Sequence, residues 1–289
     1  MDIVYTRNSK ELAKAIAKDL NITAVPAGVR VFHNKELYVS LEKSFGHVMV
    51  VGSTVTSDDW IELFLLLDAM KNASSIILCL PYLGYSRQDR QNRNESFGAG
   101  LFPKLLESAG NISGCIVLDN HCEPPMHTPV YHISAQKIFE ADIITKYGAE
   151  QIIVVSPDLG GAYRADAYAR SIGCNFAICN KARSIFGDLK KVDYFGKVDN
   201  RICIVIDDMI DSGATLCHAA DAMHRAGSKF VIAYVSHGIL SDGAVEKLEK
   251  SDISEIIISD SIEISRQLPE KFRKLSIASL IAEEVRYIM

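Results

Sequence analysis

The segment R-I-C-I-V-I-D-D-M-I-D-S-G-A-T-L-C-H-A-A-D-A-M-H-R, residues 201–225, constrains this chain more than any other. Residues 202–206 form a five-residue apolar run, short enough for a buried strand. The run stops at Asp207 and Asp208, after which Asp211, Ser212, Gly213, Ala214 and Thr215 supply small and hydroxyl-bearing residues. From Leu216 the apolar spacing becomes helical, with Leu216, Ala219, Ala220 and Met223 on one face. Strand, tight loop and helix N-terminus in series make an anion site, because exposed N–H groups and the helix dipole converge there. The Ser212 and Thr215 hydroxyls can add hydrogen bonds to phosphate oxygens. Carboxylates beside a bare phosphate would repel it, so Asp207 and Asp208 face vicinal sugar hydroxyls or a bound cation. A phosphorylated sugar satisfies both halves. The competing reading is a strand-to-turn junction capped by Asp and Ser. A lone D-S-G favours that reading; D-D-x-x-D-S-G-A-T after a strand favours the ligand.

Strands and helices alternate along the rest of the chain. Strands are expected at 3–6, 29–32, 37–41, 48–51, 75–80 and 115–118, and helices at 10–20, 58–72 and 101–109. The second half repeats the plan, with strands at 151–156, 176–179, 202–206 and 230–236, helices at 164–172 and from 216, and an irregular stretch at 184–200. Such alternation implies a parallel α/β sheet. Two string pairs look like copies: C-I-V-L-D-N at 115–120 with C-I-V-I-D-D at 203–208, and S-I-I-L-C-L-P-Y-L-G at 75–84 with Q-I-I-V-V-S-P-D-L-G at 151–160. They suggest two similar domains, 1–138 and 139–274, with a helix over 275–289 packing back on the first.

The chain's 289 residues suffice for two domains, and 48% apolar with 23% charged residues is an ordinary well-cored composition. A net charge of −5 argues against a general nucleic-acid binder. Seven scattered cysteines, none in C-x-x-C spacing, fit reduced thiols in a cytoplasmic protein better than disulfides or a zinc site. No basic segment followed by a long apolar core opens the chain, so no secretory signal is expected. The greasiest stretch, 60–70, is broken by Glu62 and Asp68 and is too short to span a bilayer.

Four further constellations carry chemistry. P-Y-L-G-Y-S-R-Q-D-R at 81–90 puts Arg87, Gln88, Asp89 and Arg90 beyond a strand end, at the sheet edge where α/β proteins bind ligands. Arg87 and Arg90 offer planar charged forks suited to polyphosphate, although a solvated charged loop reads the same way. D-N-H at 119–121 ends the next strand; His121 there could bind metal, act as a base or merely cap. S-P-D-L-G-G-A-Y-R-A at 156–165 sets Asp158 at a strand end with glycines that permit close backbone approach. A carboxylate and an imidazole, with phosphate oxygens and waters, suit a hard cation such as Mg2+. N-K-A-R at 180–183 places Lys181 and Arg183 at the mouth of 184–200, either to close over a transferring phosphoryl group or as a basic turn.

The 207–215 segment resembles the phosphoribosyl-pyrophosphate motif shared by phosphoribosyltransferases and ribose-phosphate pyrophosphokinases. With Y-x-G-Y-x-R-Q-D-R, D-x-H, S-P-D-x-G-G-x-x-R-A and K-x-R in order, the whole chain resembles the pyrophosphokinases. The resemblance implies two phosphoribosyltransferase-type α/β domains and transfer of the β,γ-diphosphoryl group of Mg-ATP to ribose 5-phosphate, releasing AMP. By position it assigns Arg87, Gln88, Asp89 and Arg90 to ATP, and His121 and Asp158 to magnesium. Asp207 and Asp208 would meet the ribose hydroxyls, and residues 211–215 the 5-phosphate. Lys181, Arg183 and His121 would be catalytic. Phe32, Asn34 and Glu36 align with an F-x-D-G-E segment that contacts adenine from a neighbouring subunit, which implies a homo-oligomer, at least a dimer. Asn34 and Lys35 replace Asp-Gly there. The chain ends at Met289 without the regulatory tail of nucleotide-inhibited members, so ADP allostery and a phosphate-activated hexamer are not expected. No nucleic acid or membrane partner is implied. A phosphoribosyltransferase would leave the first domain's motifs without work. A non-catalytic regulatory homologue is expected to lose loop or metal residues that are retained here.

Overall fold

The computed structural model describes residues 1–91, 93–183 and 189–288, with side chains described for all of these except 180–183 and 189–193. The chain divides into two compact units. Unit 1 comprises Met1–Ser134, Asp260–Ile264 and Ser276–Met289; unit 2 comprises Ala135–Ser259 and Ser265–Leu275.

Unit 1 holds a six-stranded, all-parallel sheet built from β1 (Asp2–Tyr5), β2 (Ala24–Pro26), β5 (His47–Val51), β6 (Ser75–Leu80), β7 (Ile112–Leu118) and β8 (Val130–Ile133), in the order β2-β1-β5-β6-β7-β8. Between β2 and β5 the chain makes an antiparallel ribbon of β3 (Gly28–Val31) and β4 (Leu37–Ser40). Helices α1 (Lys10–Leu20), α2 (Ser57–Ala69) and α3 (Gly98–Ala109) join the strands. A capping box starts α2: Thr56 Oγ1 accepts from Asp59 N, and Asp59 Oδ2 accepts from Thr56 N. Val48, Val50, Leu63, Leu67, Ile76, Leu78 and Val117 bury against one another on one side of the sheet. The terminal helix α8 (Ala278–Ile288) contacts α1 and β8.

Unit 2 opens with α4 (Gln136–Tyr147). Its sheet runs β11 (Leu189–Phe195), β10 (Asn175–Arg183), β9 (Ile152–Ser156), β12 (Ile202–Ile210), β13 (Phe230–Gly238), β14 (Glu255–Ser259) and β15 (Phe272–Leu275). Every pairing is parallel except β10 with β11. Helices α5 (Ala162–Ile172), α6 (Ala214–Arg225) and α7 (Ala244–Glu249) complete it. The expected irregular stretch at 184–200 is therefore partly strand, since 189–195 pairs with β10. No described helix is long and apolar enough to cross a membrane.

The two sheets share one strand order, but the shared positions do not lie where the sequence strings suggest. Taken in chain order, β1, β2, β5, β6, β7 and β8 occupy the same sheet positions as β9, β10, β12, β13, β14 and β15. Thus β12 corresponds to β5 and β7 to β14, so C-I-V-L-D-N and C-I-V-I-D-D are not counterparts. Buried parallel strands draw on the same few β-branched residues, so short strings match without common position.

An ion-pair network fastens the far side of unit 2. Arg273 on β15 donates through Nη1 to Asp142 Oδ1 at 2.9 Å and through Nε to Glu255 Oε1 at 2.8 Å. Tyr234 Oη donates to Asp142, and Tyr147 Oη and Lys146 Nζ donate to Glu255. Burial alone raises the Glu255 carboxyl, but these bonds outweigh it and bring it down to about 2. A carboxyl lower in the folded state than in the unfolded one stabilises above its unfolded pKa and loses that contribution as pH falls through its folded one. Glu255 then contributes on the order of 3 kcal/mol at neutral pH, lost between about pH 4.5 and 2. Chemical denaturation of Arg273→Met should show a loss of about 3 kcal/mol at pH 7. It should also show a much shallower fall of stability across that acid window than the unmodified protein.

Candidate active site

In unit 2 the organising strand runs further than its apolar run. β12 continues through Asp207 and Asp208 to Ile210, because β13 pairs with it as far as Ile210↔Gly238. On its other side β9 stops at Val155↔Val205. The acids therefore sit on a strand that has lost one neighbour. β9 is also where the order reverses, with β10 on one flank and β12 on the other. A crevice outside the carboxyl ends of parallel strands at such a reversal is where α/β sheets bind ligands.

Asp208 is buried, and Asp207 retains only 14% side-chain exposure. Arg164, in the first turn of α5, brings Nη1 to 3.6 Å from Oδ1 of each acid. Burial, then the adjacent Asp208 charge, pushes the Asp207 carboxyl well above the ordinary carboxylate range; Arg164 pulls it down and Asp158 pushes it up. Asp158 lies in the loop after β9, where its Oδ1 accepts from Gly161 N at 3.1 Å and its carbonyl accepts from Ser156 Oγ at 2.6 Å. Arg164 belongs to the S-P-D-L-G-G-A-Y-R-A motif, yet its pairing with residues more than forty positions on has no sequence signal.

Beyond Ile210 the chain turns through Asp211 and Ser212 into Gly213, which has φ +73° and caps α6. Gly213 has no side chain with which to cap α6, and the first turn of that helix presents N–H groups of the kind that receive an anion. A Cβ on Gly213 would stand 2.8 Å from Leu248 Cγ, so both backbone sign and space demand glycine. Ala214 and Thr215 open the helix. Lys181 and Arg183 are in the last residues of β10, whose pairing with β9 has ended at Ile178↔Ser156; their side chains lie outside the described residues.

In unit 1 two motifs meet at the carboxyl edge of one sheet, because β6 and β7 are neighbours. Cys122 Sγ donates to the Ser86 carbonyl at 3.2 Å, tying the turn that carries His121 to the loop that carries Arg87. Burial and then the charge of Asp89 raise the Cys122 thiol. Arg87, Gln88, Asp89, Arg90 and His121 are all exposed. Tyr85 holds the loop: its φ is +62°, its ring stacks on Phe102 at 4.2 Å, and its carbonyl accepts from Gln88 N. A Cβ on Gly84 would fall 2.0 Å from the Thr54 carbonyl oxygen. Gly84→Ala should therefore displace the loop, costing about 1–3 kcal/mol in thermal unfolding and raising KM for a nucleotide held there.

Phe32, Asn34 and Glu36 form the turn of the β3–β4 ribbon. Phe32 N donates to Glu36 O, and Asn34 Oδ1 accepts from Glu36 N at 3.2 Å. Phe32 is 44% exposed. A cavity of about 520 Å³ lined by His47, Ser75, Ser113 and Tyr131 lies at the amino ends of β5, β6 and β7, away from these loops. Among the described residues no three or more His, Cys, Asp or Glu side chains form a metal cluster.

Residues 1–110 match the family model described as the N-terminal domain of ribose phosphate pyrophosphokinase, and residues 185–289 match the phosphoribosyl synthetase-associated domain. A ribose-phosphate pyrophosphokinase of Agrobacterium fabrum is 35% identical over 99% of this chain and 96% of its own length. One from Granulibacter bethesdensis is 35% identical over 100% and 96%. The crystal structure of phosphoribosylpyrophosphate synthetase from Mycobacterium smegmatis superposes with a TM-score of 0.90 at 31% identity, covering 99% of this chain and 98% of that one.

Proposed function

The chain belongs to the ribose-phosphate pyrophosphokinase family, and from that premise we propose how its residues divide the work. The enzyme is a transferase that moves the β,γ-diphosphoryl group of ATP to O1 of ribose 5-phosphate, giving 5-phosphoribosyl 1-pyrophosphate and AMP for nucleotide biosynthesis. O1 loses its hydroxyl proton, released to solvent, as it attacks the β-phosphorus, and the bond from that phosphorus to the bridging oxygen that leaves with AMP breaks. The observation that carries this reading is the occurrence, on one strand and the helix that follows it in unit 2, of a nearly buried acid pair beside Arg164 and a helix N-terminus that begins at a glycine.

Asp207 and Asp208 accept hydrogen bonds from the ribose hydroxyls, which orients O1. Residues 211–215 receive the 5-phosphate on the first N–H groups of α6. Arg87, Gln88, Asp89 and Arg90 bind ATP, the arginines through their fixed forks. Lys181 and Arg183 stabilise charge on the group in flight. Phe32, Asn34 and Glu36 contact adenine in a neighbouring subunit, so the working unit is at least a homodimer; the exposed Phe32 ring supports this.

Hard oxygen and imidazole donors at Asp158 and His121 fit Mg2+. With no dense protein cluster among the described residues, the remaining positions suit substrate phosphates and water, the usual way this ion is held. When bound, Mg2+ supplies charge neutralisation on the polyphosphate oxygens. The setting is cytoplasmic, supported by seven cysteines without a disulfide.

The deciding assay combines ribose 5-phosphate, Mg2+ and ATP and follows both AMP and 5-phosphoribosyl 1-pyrophosphate. Equal formation of the two is expected. Pyrophosphorolysis of a nucleotide in place of that activity would mark a phosphoribosyltransferase. Binding of ribose 5-phosphate without turnover would mark a regulatory homologue.

A further inference from the structure

Three successive carbonyls at the entrance to the 5-phosphate loop are held by one segment, residues 240–247. Leu240 N donates to Ile210 O at 3.0 Å, Ser241 N donates to Asp211 O at 3.1 Å, and Lys247 Nζ donates to Ser212 O at 3.1 Å. In a trans peptide the C=O and the next N–H point in opposite directions. Each tie therefore turns one N–H away from residues 240–247: that of Asp211, then Ser212, then Gly213. These are the donors that an anion at the loop would use. The third tie sits at the most demanding peptide, where Gly213 takes its positive φ over Leu248.

The platform behind these ties is itself fixed. Six residues are too few for a helix to persist alone, but Ala244, Val245 and Leu248 of α7 are buried. Lys271 Nζ donates to the carbonyls of Leu248, Glu249 and Ser251 at 2.8, 2.9 and 3.0 Å, closing the open end of α7. Of the three ties to the loop, only that of Lys247 comes from a side chain, and that side chain is exposed.

We propose that Lys247 is a positioning residue for ribose 5-phosphate: by holding the Ser212 carbonyl it aims the Gly213 N–H at the 5-phosphate. It acts through the loop and not on the reacting atoms. The inference rests on reading residues 211–215 as the 5-phosphate cradle. It adds a residue 32 positions beyond Thr215 that no motif marks.

The test is a calorimetric titration of the full-length protein with ribose 5-phosphate, run for the unmodified chain, Lys247→Ala and Lys247→Arg, with steady-state kinetics alongside. An exposed hydrogen bond to a carbonyl sets the scale, so Lys247→Ala should weaken binding about fivefold. KM for ribose 5-phosphate should rise in proportion, with kcat, KM for ATP and the melting temperature unchanged. Lys247→Arg, which keeps a donor, should recover most of the loss. Unaltered binding by Lys247→Ala overturns the proposal. So does a deficit that vanishes at 0.5 M salt, which would make Lys247 a distant charge and not a tie. Failure of the unmodified protein to bind ribose 5-phosphate at all would instead overturn the reading of the cradle.

Discussion

Lys181→Ala is expected to lower kcat by about 10²–10³ while leaving KM for both substrates within about threefold. The split follows from where the charge lies. In the ground state the diphosphoryl group is part of ATP, and under the proposed assignment the arginines at 87 and 90 share its charge. As the β-phosphorus passes to O1, charge shifts toward the oxygen that leaves with AMP. A cation poised only for that moment raises kcat without tightening the substrate complex. The proposed role for Lys181 is supported by its position on β10, which outruns its parallel neighbour. Its pairing with β9 ends at residue 178, and residues 181–183 continue as a ribbon with β11. Arg183→Ala should fall similarly, and the double variant by far less than the product, since both residues act on one group. Rapid-quench measurement of AMP formation reads the step directly. A Lys181→Ala enzyme that keeps kcat within about threefold removes Lys181 from the mechanism.

The sequence carried the architecture at the level of alternating elements. α1 spans residues 10–20 and β6 spans 75–80 as the periodicity expects, because each has one clear apolar pattern and a clear stop. Besides β11, within the stretch expected to be irregular, the strands that were not anticipated are β2, β8, β14 and β15; these four are short, and β2, β8 and β15 lie at sheet edges. A strand of three to five residues has too little length for a period of two to show. β12 overran its expected end for the opposite reason. Polar Asp207 and Asp208 look like a stop, but pairing with β13 continues through them once β9 has turned away. At the site, residues joined by one loop were legible together: Asp207 to Thr215, or Arg87 to Arg90. Contacts made by topology were not. Arg164 reaches the acid pair because β9 and β12 are neighbours, and Cys122 reaches Ser86 because β6 and β7 are. Lys247 belongs to the same class. The likeness of the two sheets was not legible in matching strings, since it lies in strand order while the corresponding loops differ. The loop after β5, counterpart of the 211–215 loop, carries Ser53, whose hydroxyl donates to Ser261 O and whose N–H donates to Ser9 Oγ. That loop spends its donor and acceptor groups on the protein itself.

Arg164→Ala should reduce kcat/KM for ribose 5-phosphate by about a hundredfold, chiefly through KM. The geometry gives the reason. Two adjacent carboxylates with little solvent share one guanidinium at 3.6 Å from each, and Asp158 adds like charge nearby. Removing one partner from a buried charge cluster costs about 3–5 kcal/mol because the remaining charges stay desolvated with less to compensate them. Arg164 is 28% exposed, so solvent recovers part of that, and about 3 kcal/mol, a hundredfold, is the scale expected. The cluster relieves the strain by binding a proton. Arg164 lowers the Asp207 carboxyl, so its loss raises that carboxyl further above the ordinary range. A protonated acid accepts fewer hydrogen bonds from the sugar, and the acid limb of kcat/KM for ribose 5-phosphate should move to higher pH. The limb for ATP should stay in place. Arg164→Lys keeps the charge without the fork and should recover the pH profile more fully than the affinity. A variant Arg164→Ala with unchanged KM and an unmoved acid limb would show that the guanidinium only packs against α5, and that the acid pair meets the ribose without its help.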